Sequence, residues 1–578
     1  MIFIIKSMKP YVWMLMLAAV LLAVEAVFAL MLPNYMADIV NDGVITGHLS
    51  VIWRNGGMML LITFASMAVA LITGYFTAKT ATGVANDLRQ AVFTKVLRFT
   101  NAEVNKFSTS SLITRTTNDV MQVQNTLMMA IRQFIYMPIL AVGGIIRALE
   151  RSTTLAWLIV IATAVMIALM AVIFFVAYPK FTKLQSLIDR LNLVTRENLS
   201  GILVVRAFST QTFEKKRFDV ANSELASTER FVGVTFAFMT PVIALMMNLV
   251  TALIVWIGAH QVSAFQADIG DIFAFLQYGM LIIFSFLMIS VTFIMIPRAV
   301  VSANRIEEVL ETEGGIVFKE DPLPLPTDFK GEVEFRNVDF RYPDATEDDD
   351  NVLTGINFTA KPGQTTAIIG ATGSGKTSIF KLILRFFDVT GGGVYVDGIN
   401  IKDIRKEDLH DKIGFVAQKA VLFKGTIRSN LMYADKDATE ERLRNAVEIA
   451  QSTGFIESKP EGYESNVAQG GSNFSGGQRQ RLSIARALVK DAPIYMFDDS
   501  FSALDLKTDA QLRAALKSKM SDRTIIVIAQ RISSIMEADQ IVVLDHGTIA
   551  GIGTHKELME TCEVYKEIAA SQLSAEEV

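Results

Sequence analysis

A chain of 578 residues is too long for one ordinary domain, and with 51% hydrophobic against 20% charged residues it is more apolar than a soluble protein of that size. A formal net charge of −5 offers no basic face for a nucleic-acid partner, and a single cysteine, Cys562, excludes both an internal disulfide framework and a cysteine metal cluster. The apolar excess sits in roughly the first 300 residues, whereas 331–578 read as a soluble α/β domain, so two solvents are implied.

Crossing about 30 Å of hydrocarbon takes roughly 20 apolar residues at 1.5 Å each. Runs of that kind lie near 11–34, 57–78, 134–149, 153–177, 232–260 and 271–297, which predicts six spans. The first, Tyr11 to Met31, is longer than a signal-peptide core and leads into Pro33-Asn34 without a small-residue cleavage pattern, so it is expected to be retained. Only Glu150-Arg151-Ser152 separates the third and fourth, which must form a tight helical hairpin. The even count puts both termini on one side. Lys79, Arg89, Lys95, Arg98, Lys106, Arg115 and Arg132 crowd the 79–133 segment, and 180–230 is similarly basic, so both segments are placed in the cytoplasm. The stretches 35–56 and 261–270 carry only Arg54 between them and fit outside. Arg147 and Arg151 run against this bias but are held outside by the alternation of spans. The reading is a multi-pass protein of the cytoplasmic membrane with its C-terminal domain in the cytoplasm.

The two cytoplasmic stretches have helical periodicity and few Gly or Pro. Each is either a solvated extension or a lever that touches the soluble domain, with turns at Asn101 to Phe107 and at Arg206 to Phe213. Residues 1–310 are thus assigned to a membrane α-helical bundle. A linker, 311–330, is marked by Gly314-Gly315 and by Pro322, Pro324 and Pro326, and an α/β domain follows over 331–578. Val333 to Val338 alternates as a half-exposed strand, and the acidic run Glu347 to Asp350 reads as a solvated hairpin tip. Within the first span Glu25 lies about 21 Å along the helix, where an ionisable group should face the bundle interior. It either handles cargo or protons, or makes a structural hydrogen bond to a neighbouring helix. Phe273, Phe275, Met280, Phe284, Phe286 and Met288 either line a greasy, adaptable cavity or face lipid.

Gly370-Ala371-Thr372-Gly373-Ser374-Gly375-Lys376-Thr377-Ser378 follows the apolar strand Thr366 to Ile369 and precedes a helical pattern, the context a phosphate-binding loop requires. Its glycines allow backbone N–H groups to close on phosphate oxygens. Lys376 supplies a point charge for the β and γ phosphates of ATP, and Thr377 offers a hydroxyl to Mg²⁺. A second apolar strand, Ile494 to Phe497, ends at Asp498, a carboxylate for the same metal. Upstream lies Asn473-Phe474-Ser475-Gly476-Gly477-Gln478-Arg479-Gln480-Arg481, where a serine hydroxyl, two small residues and a helix start make a second anion site.

That last string resembles the signature of the ATP-binding cassette (ABC) family. The order of spans, long cytoplasmic extensions and C-terminal cassette resembles its exporter branch over essentially the whole chain. The resemblance implies two cassettes packed head to tail, each signature (here Ser475, Gly476, Gly477 and Gln478) clamping the ATP on the other's phosphate loop. It implies that Tyr342 stacks on adenine, that Gln418 is the lid glutamine and a Mg²⁺ ligand, and that Asp505, in Ser502-Ala503-Leu504-Asp505, belongs to the loop crossing the dimer. The levers are then expected to couple ATP binding to the spans. Two positions depart from the pattern. Asp499 stands where the family carries the glutamate that polarises the attacking water, and Gln530 replaces the switch histidine. A shorter carboxylate sits about 1.5 Å back, a misplacement that costs about 10²-fold. Glutamine donates a hydrogen bond but cannot become cationic. Both departures fall on the half-site built by this chain's own phosphate loop, while the signature is intact. The expectation is therefore a degenerate-site subunit of a heterodimeric multidrug-type exporter of small amphipathic or hydrophobic molecules. A homodimeric lipid or peptide exporter and an ATP-gated channel are the alternatives.

Overall fold

The computed structural model describes residues 2–316, 319, 321–343, 345 and 350–572; Glu347, Asp348 and Asp349 of the acidic run lie outside them. The chain divides into two compact units. One runs to Leu97 and resumes over Thr109–Thr312; the other consists of Arg98–Ser108 and the chain from Glu313 onward.

In the first unit, helices far exceed the bilayer. Val12–Asp38 has 27 residues, Leu49–Leu97 has 49, Thr153–Ser200 has 48 and Ile269–Glu311 has 43. At 1.5 Å per residue the longest reach about 70 Å, so most of that length beyond about 30 Å must project into water. Among the described residues, Lys9–Val44, Leu49–Leu97, Thr109–Arg151, Pro241–Ser263 and Ile269–Ile289 are long and apolar enough to cross, and Thr153–Leu169 is a shorter apolar stretch where the fourth span is expected. Pro33, Pro138 and Pro297 lie inside these helices, as neighbouring helices in a bundle permit. Ala26, Leu30, Leu140, Phe275, Tyr278 and Ile282 form the packed interior. Trp13, Met16, Phe64 and Leu71 stay exposed, as lipid-facing residues should. The phenylalanine and methionine run of the last span divides: Phe275 is core, while Phe273, Met280 and Phe284 are exposed.

Arg151 joins three helices at the outer end. Its guanidinium donates to Asn34 Oδ1 (3.1 Å), Asp271 Oδ1 (2.8 Å) and Asp38 Oδ1 (3.0 Å), and Tyr278 donates to the same Asn34 oxygen (3.0 Å). A cation that the positive-inside bias disfavours there is thus matched by two carboxylates.

In the second unit a six-stranded sheet has the order 548–553, 540–545, 365–370, 524–528, 494–498, 413–416, parallel except for the edge strand Thr548–Gly553. Its central strands Ile494–Asp498 and Thr524–Ile528 are buried at every residue, as expected of a parallel sheet covered on both faces. A second, antiparallel sheet pairs Val333–Phe340 with Leu353–Ala360 and Gly391–Val396. Thr365–Gly370, Thr524–Ile528 and Ile494–Asp498 are adjacent and parallel, so their carboxyl ends bring together Gly370, Gln530, Asp498 and Asp499. Ligands of open α/β sheets bind at that edge.

The short helix Asn101–Phe107 also belongs to this unit. A capping box starts it: Glu103 Oε2 accepts from the Thr100 N–H (2.6 Å) and from the Thr100 hydroxyl. The other carboxylate oxygen, Oε1, accepts from the Gly315 N–H (2.8 Å), and Ala102 packs on the apolar cluster around Phe335 and Phe340.

Candidate functional site

The phosphate loop leaves its strand at Gly370, where a Cβ would lie 2.2 Å from the Leu544 carbonyl oxygen, so only glycine fits. It enters the helix Lys376–Ile383 through Gly375, which is left-handed (φ 94°), and no side chain caps the first turn. The turn's N–H groups thus remain the natural seat for an anion. Lys376 Nζ donates to Gly370 O (2.8 Å) and Ala371 O (2.6 Å), which holds the ammonium over the loop. Burial lowers its pKa, opposed by the charges of Asp499 and Asp498. Thr372 and Gly373 are exposed at the loop tip, and Ser374 is buried beneath it.

Thr377 Oγ1 lies 3.4 Å from Asp498 Oδ1. Burial pushes the Asp498 carboxyl up to about 6, opposed by the Thr377 hydrogen bond. A hydroxyl beside a carboxylate is a pair of hard oxygen donors. This pair therefore fits Mg²⁺, and Thr377 and Asp498 would hold it.

Asp499 follows in the left-handed region (φ 46°), with its N–H fixed on Ile528 O (2.9 Å) and its side chain 8% exposed. Its Oδ2 accepts from Gln530 Nε2 (2.8 Å) and from Gln418 Nε2 (3.2 Å). The two sequence departures are therefore in direct contact. Burial raises the Asp499 pKa, against the Gln418 and Ser502 hydrogen bonds. A further participant escaped the sequence reading: Gln572 donates through Nε2 to Gln530 O (2.8 Å) and accepts through Oε1 from the Ile532 N–H (2.9 Å). Nothing in the sequence marks it, because its partners lie some forty residues upstream.

Tyr342 stands beside the phosphate-loop helix. Its hydroxyl is 2.9 Å from the buried Ser378 Oγ, its ring packs edge-on against Phe340 and Phe387, and the Lys381 ammonium lies 5.1 Å from the ring centre. The signature lies apart from this group. Ser475 caps the helix Gly476–Val489 in a capping box, accepting from the Gln478 N–H (3.3 Å) while its own N–H donates to Gln478 Oε1 (3.1 Å). Both Ser475 and Gly476 are exposed, and a Cβ on Gly476 would meet nothing. Asp505 caps the next helix, Leu506–Lys519, by accepting from the Thr508 N–H (3.0 Å), and that bond holds its carboxyl below the usual range.

Residues 15–286 match the family model of the ABC transporter transmembrane region and residues 353–502 that of the ABC transporter. The chain is 40% identical, over 98% of its length and 97% of the relative's, to an uncharacterized ABC transporter ATP-binding protein of Mycobacterium tuberculosis. It belongs to the ABC transporter family. YfiB of Bacillus subtilis, another ABC transporter ATP-binding protein, is 35% identical over 99% of this chain and 98% of its own. The ATP-dependent lipid A-core flippase of Pseudomonas aeruginosa is 32% identical over 89% of this chain and 84% of its own. In fold, the transporter resembles a bacterial Atm1-family ABC exporter solved with ATP bound (TM-score 0.79, 23% identity, 98% of both chains). The transporter is thus an ATPase coupled to transport, multi-pass in the membrane, with its cassette in the cytoplasm and with ATP and Mg²⁺ as cofactors. Mg²⁺ supplies charge neutralisation at the phosphates when bound; the chain supplies the loop, Lys376, Thr377 and Asp498 that position them.

Proposed function

We propose that this transporter exports small amphipathic or hydrophobic molecules as one half of a heterodimer, and that its own ATP site is the slow one. The observation that carries this reading is the 2.8 Å hydrogen bond from Gln530 to Asp499. Where a water-polarising glutamate and a cationic switch would face the γ-phosphate, a shortened carboxylate is tied to a neutral amide. The half-site lent to a partner has the opposite character: Ser475, Gly476 and Gly477 sit at a capped, exposed helix start. A second chain is supported by the other cytoplasmic turn, where Leu203, Phe208 and Phe213 are exposed at 76%, 75% and 66%, an apolar tip suited to a partner cassette.

Purified complex, assayed for steady-state ATPase, tests the asymmetry. Lys376→Ala is expected to leave appreciable hydrolysis, because the partner's phosphate loop turns over most ATP. Ser475→Arg places bulk and charge where that ATP must dock, and losing one preorganised donor alone costs about 10²–10³ in rate. Equal, complete loss with both variants supports instead the homodimeric lipid exporter, the reading toward which the flippase relatives point.

A further inference from the structure

The membrane unit contains one charge pair that its own surroundings leave half-satisfied. Glu25 is 4% exposed, and its Oε1 accepts from Arg132 Nη2 at 2.9 Å. Among the described residues its buried Oε2 has no hydrogen-bond partner, and neither has the buried Oε1 of Gln133, the residue next to Arg132. Gln133 Nε2 reaches only the Met288 sulfur, at 3.9 Å. The Arg132 side chain is 50% exposed, and its guanidinium lies 5.8 Å from the centre of the Tyr136 ring.

The outer clasp gives the depth. Asp38 and Arg151 are bonded to each other. Glu25 lies about 20 Å below Asp38 and the Arg132 backbone about 28 Å below Arg151, at 1.5 Å per residue. Glu25 thus lies near the middle of its 27-residue helix, well inside a core about 30 Å thick, and Arg132 reaches to it from nearer the cytoplasmic side. A pair retained only for structure is stable when every lone pair and proton is matched. Here the unmatched atoms are both acceptors, one of them on a carboxylate, and the side chain of the cation that serves it is half exposed.

We infer that Glu25 and Gln133 form a recognition site for amphiphilic cations bearing N–H donors, with Arg132 as a displaceable internal substitute for the ligand's ammonium. An ammonium N–H would satisfy Glu25 Oε2, a further N–H donor of the ligand would serve Gln133 Oε1, and the Tyr136 ring offers a π face. An anion on Arg132 would instead add negative charge beside a carboxylate and leave both orphan acceptors unmet. The inference rests on the export reading for its purpose, since it names the class of cargo.

The test uses the assembled transporter in lipid nanodiscs and two fluorescent probes, a dansyl-labelled alkylammonium and the dansyl-labelled alcohol of the same chain length. Glu25→Gln is expected to lower the cation-to-alcohol affinity ratio about tenfold or more, with Glu25→Asp partly restoring it. Arg132→Gln removes the competitor and is expected to raise that ratio. A ratio unmoved by Glu25→Gln overturns the site; should that variant fail to assemble, a ratio that falls or stays constant in Arg132→Gln overturns it equally. ATP-dependent uptake of the alcohol probe by inside-out vesicles reports export separately. Absent uptake with intact selectivity overturns the export reading and spares the site, whereas uptake with an unchanged ratio overturns the site alone.

Discussion

Asp499 is one methylene short of glutamate, and one of its carboxylate oxygens, Oδ2, is already engaged by Gln530 and Gln418. Restoring both the reach and the cation should restore chemistry. In a Ser475→Arg background, which disables the site completed by this signature, the residual ATPase reports this chain's own loop. Asp499→Glu combined with Gln530→His is expected to raise that residual rate by about 10²-fold, and either change alone by less. Asp498 makes a different prediction. Its carboxyl titrates near 6 in the folded protein, above the ordinary value of 3.8, so between those values the folded state holds more protons than the unfolded one. Stability from this group therefore falls as pH rises from about 4 to about 6, a loss of up to about 3 kcal/mol at neutral pH. Asp498→Asn should raise the melting temperature of the nucleotide-free protein at pH 8, change it little at pH 4, and abolish Mg²⁺-dependent nucleotide binding. Equal melting shifts at both pH values would count against the assignment.

Among the elements, the short helix Asn101–Phe107 ends in a defined grip within the second unit, and the expectation that it couples ATP binding to the spans can be tested there. Its capping glutamate is shared: one oxygen of Glu103 serves the helix start, and the other holds the Gly315 N–H. Phe99 and Phe107 stack at 5.9 Å beneath it. Burial alone would raise the Glu103 pKa, but hydrogen bonds from Thr100 and Gly315 outweigh it and hold the carboxyl below its usual value. The grip is therefore fully present above the ordinary glutamate range and weakens as pH falls through the lowered pKa. Glu103→Ala is expected to leave ATP hydrolysis within about threefold of wild type while ATP-driven transport drops about tenfold or more, since a lost cap and a lost buried acceptor loosen the lever, not the site. Parallel loss of both activities in reconstituted vesicles would argue that the helix only stabilises the fold. The motif Thr100-x-x-Glu103 could have been read as a helix start. Its second partner, Gly315, is more than two hundred residues away and could not.

For the membrane unit as a whole, the Arg151 clasp ties Asn34, Asp38 and Asp271 to one guanidinium at the outer end. The network is only part-buried, with the Arg151 and Asp38 side chains 23% and 41% exposed, so removing the guanidinium costs less than the roughly 3–5 kcal/mol of a fully buried pair, an amount comparable to the gap of a few kcal/mol between conformers of switching proteins. Arg151→Met is therefore expected to bias the bundle toward an outer-open state. Cys562 is buried and is the chain's single cysteine, so a thiol introduced as Ala37→Cys, at a buried position beside the clasp and outside its hydrogen bonds, can be followed by a membrane-impermeant maleimide. Labelling should accelerate at least about tenfold when Arg151→Met is added. An unchanged rate would show that the clasp does not hold the outer end shut.

Composition and local spacing were sufficient for the two solvents, the long helices, the phosphate loop after its strand, and the signature, because each depends on neighbours within a turn or two of chain. Set against the cassette pattern that the signature resembles, Asp499 and Gln530 stood out as departures. Only the tertiary structure decided that these two side chains touch, since parallel pairing of Ile494–Asp498 with Thr524–Ile528 brings their ends together across a long stretch of sequence. The same holds for Arg132 on Glu25, Arg151 among three helices and Gln572 on the Gln530 loop. Those contacts are chosen by which helix or strand lies next to which, and sequence periodicity reports a buried face without naming the partner that buries it.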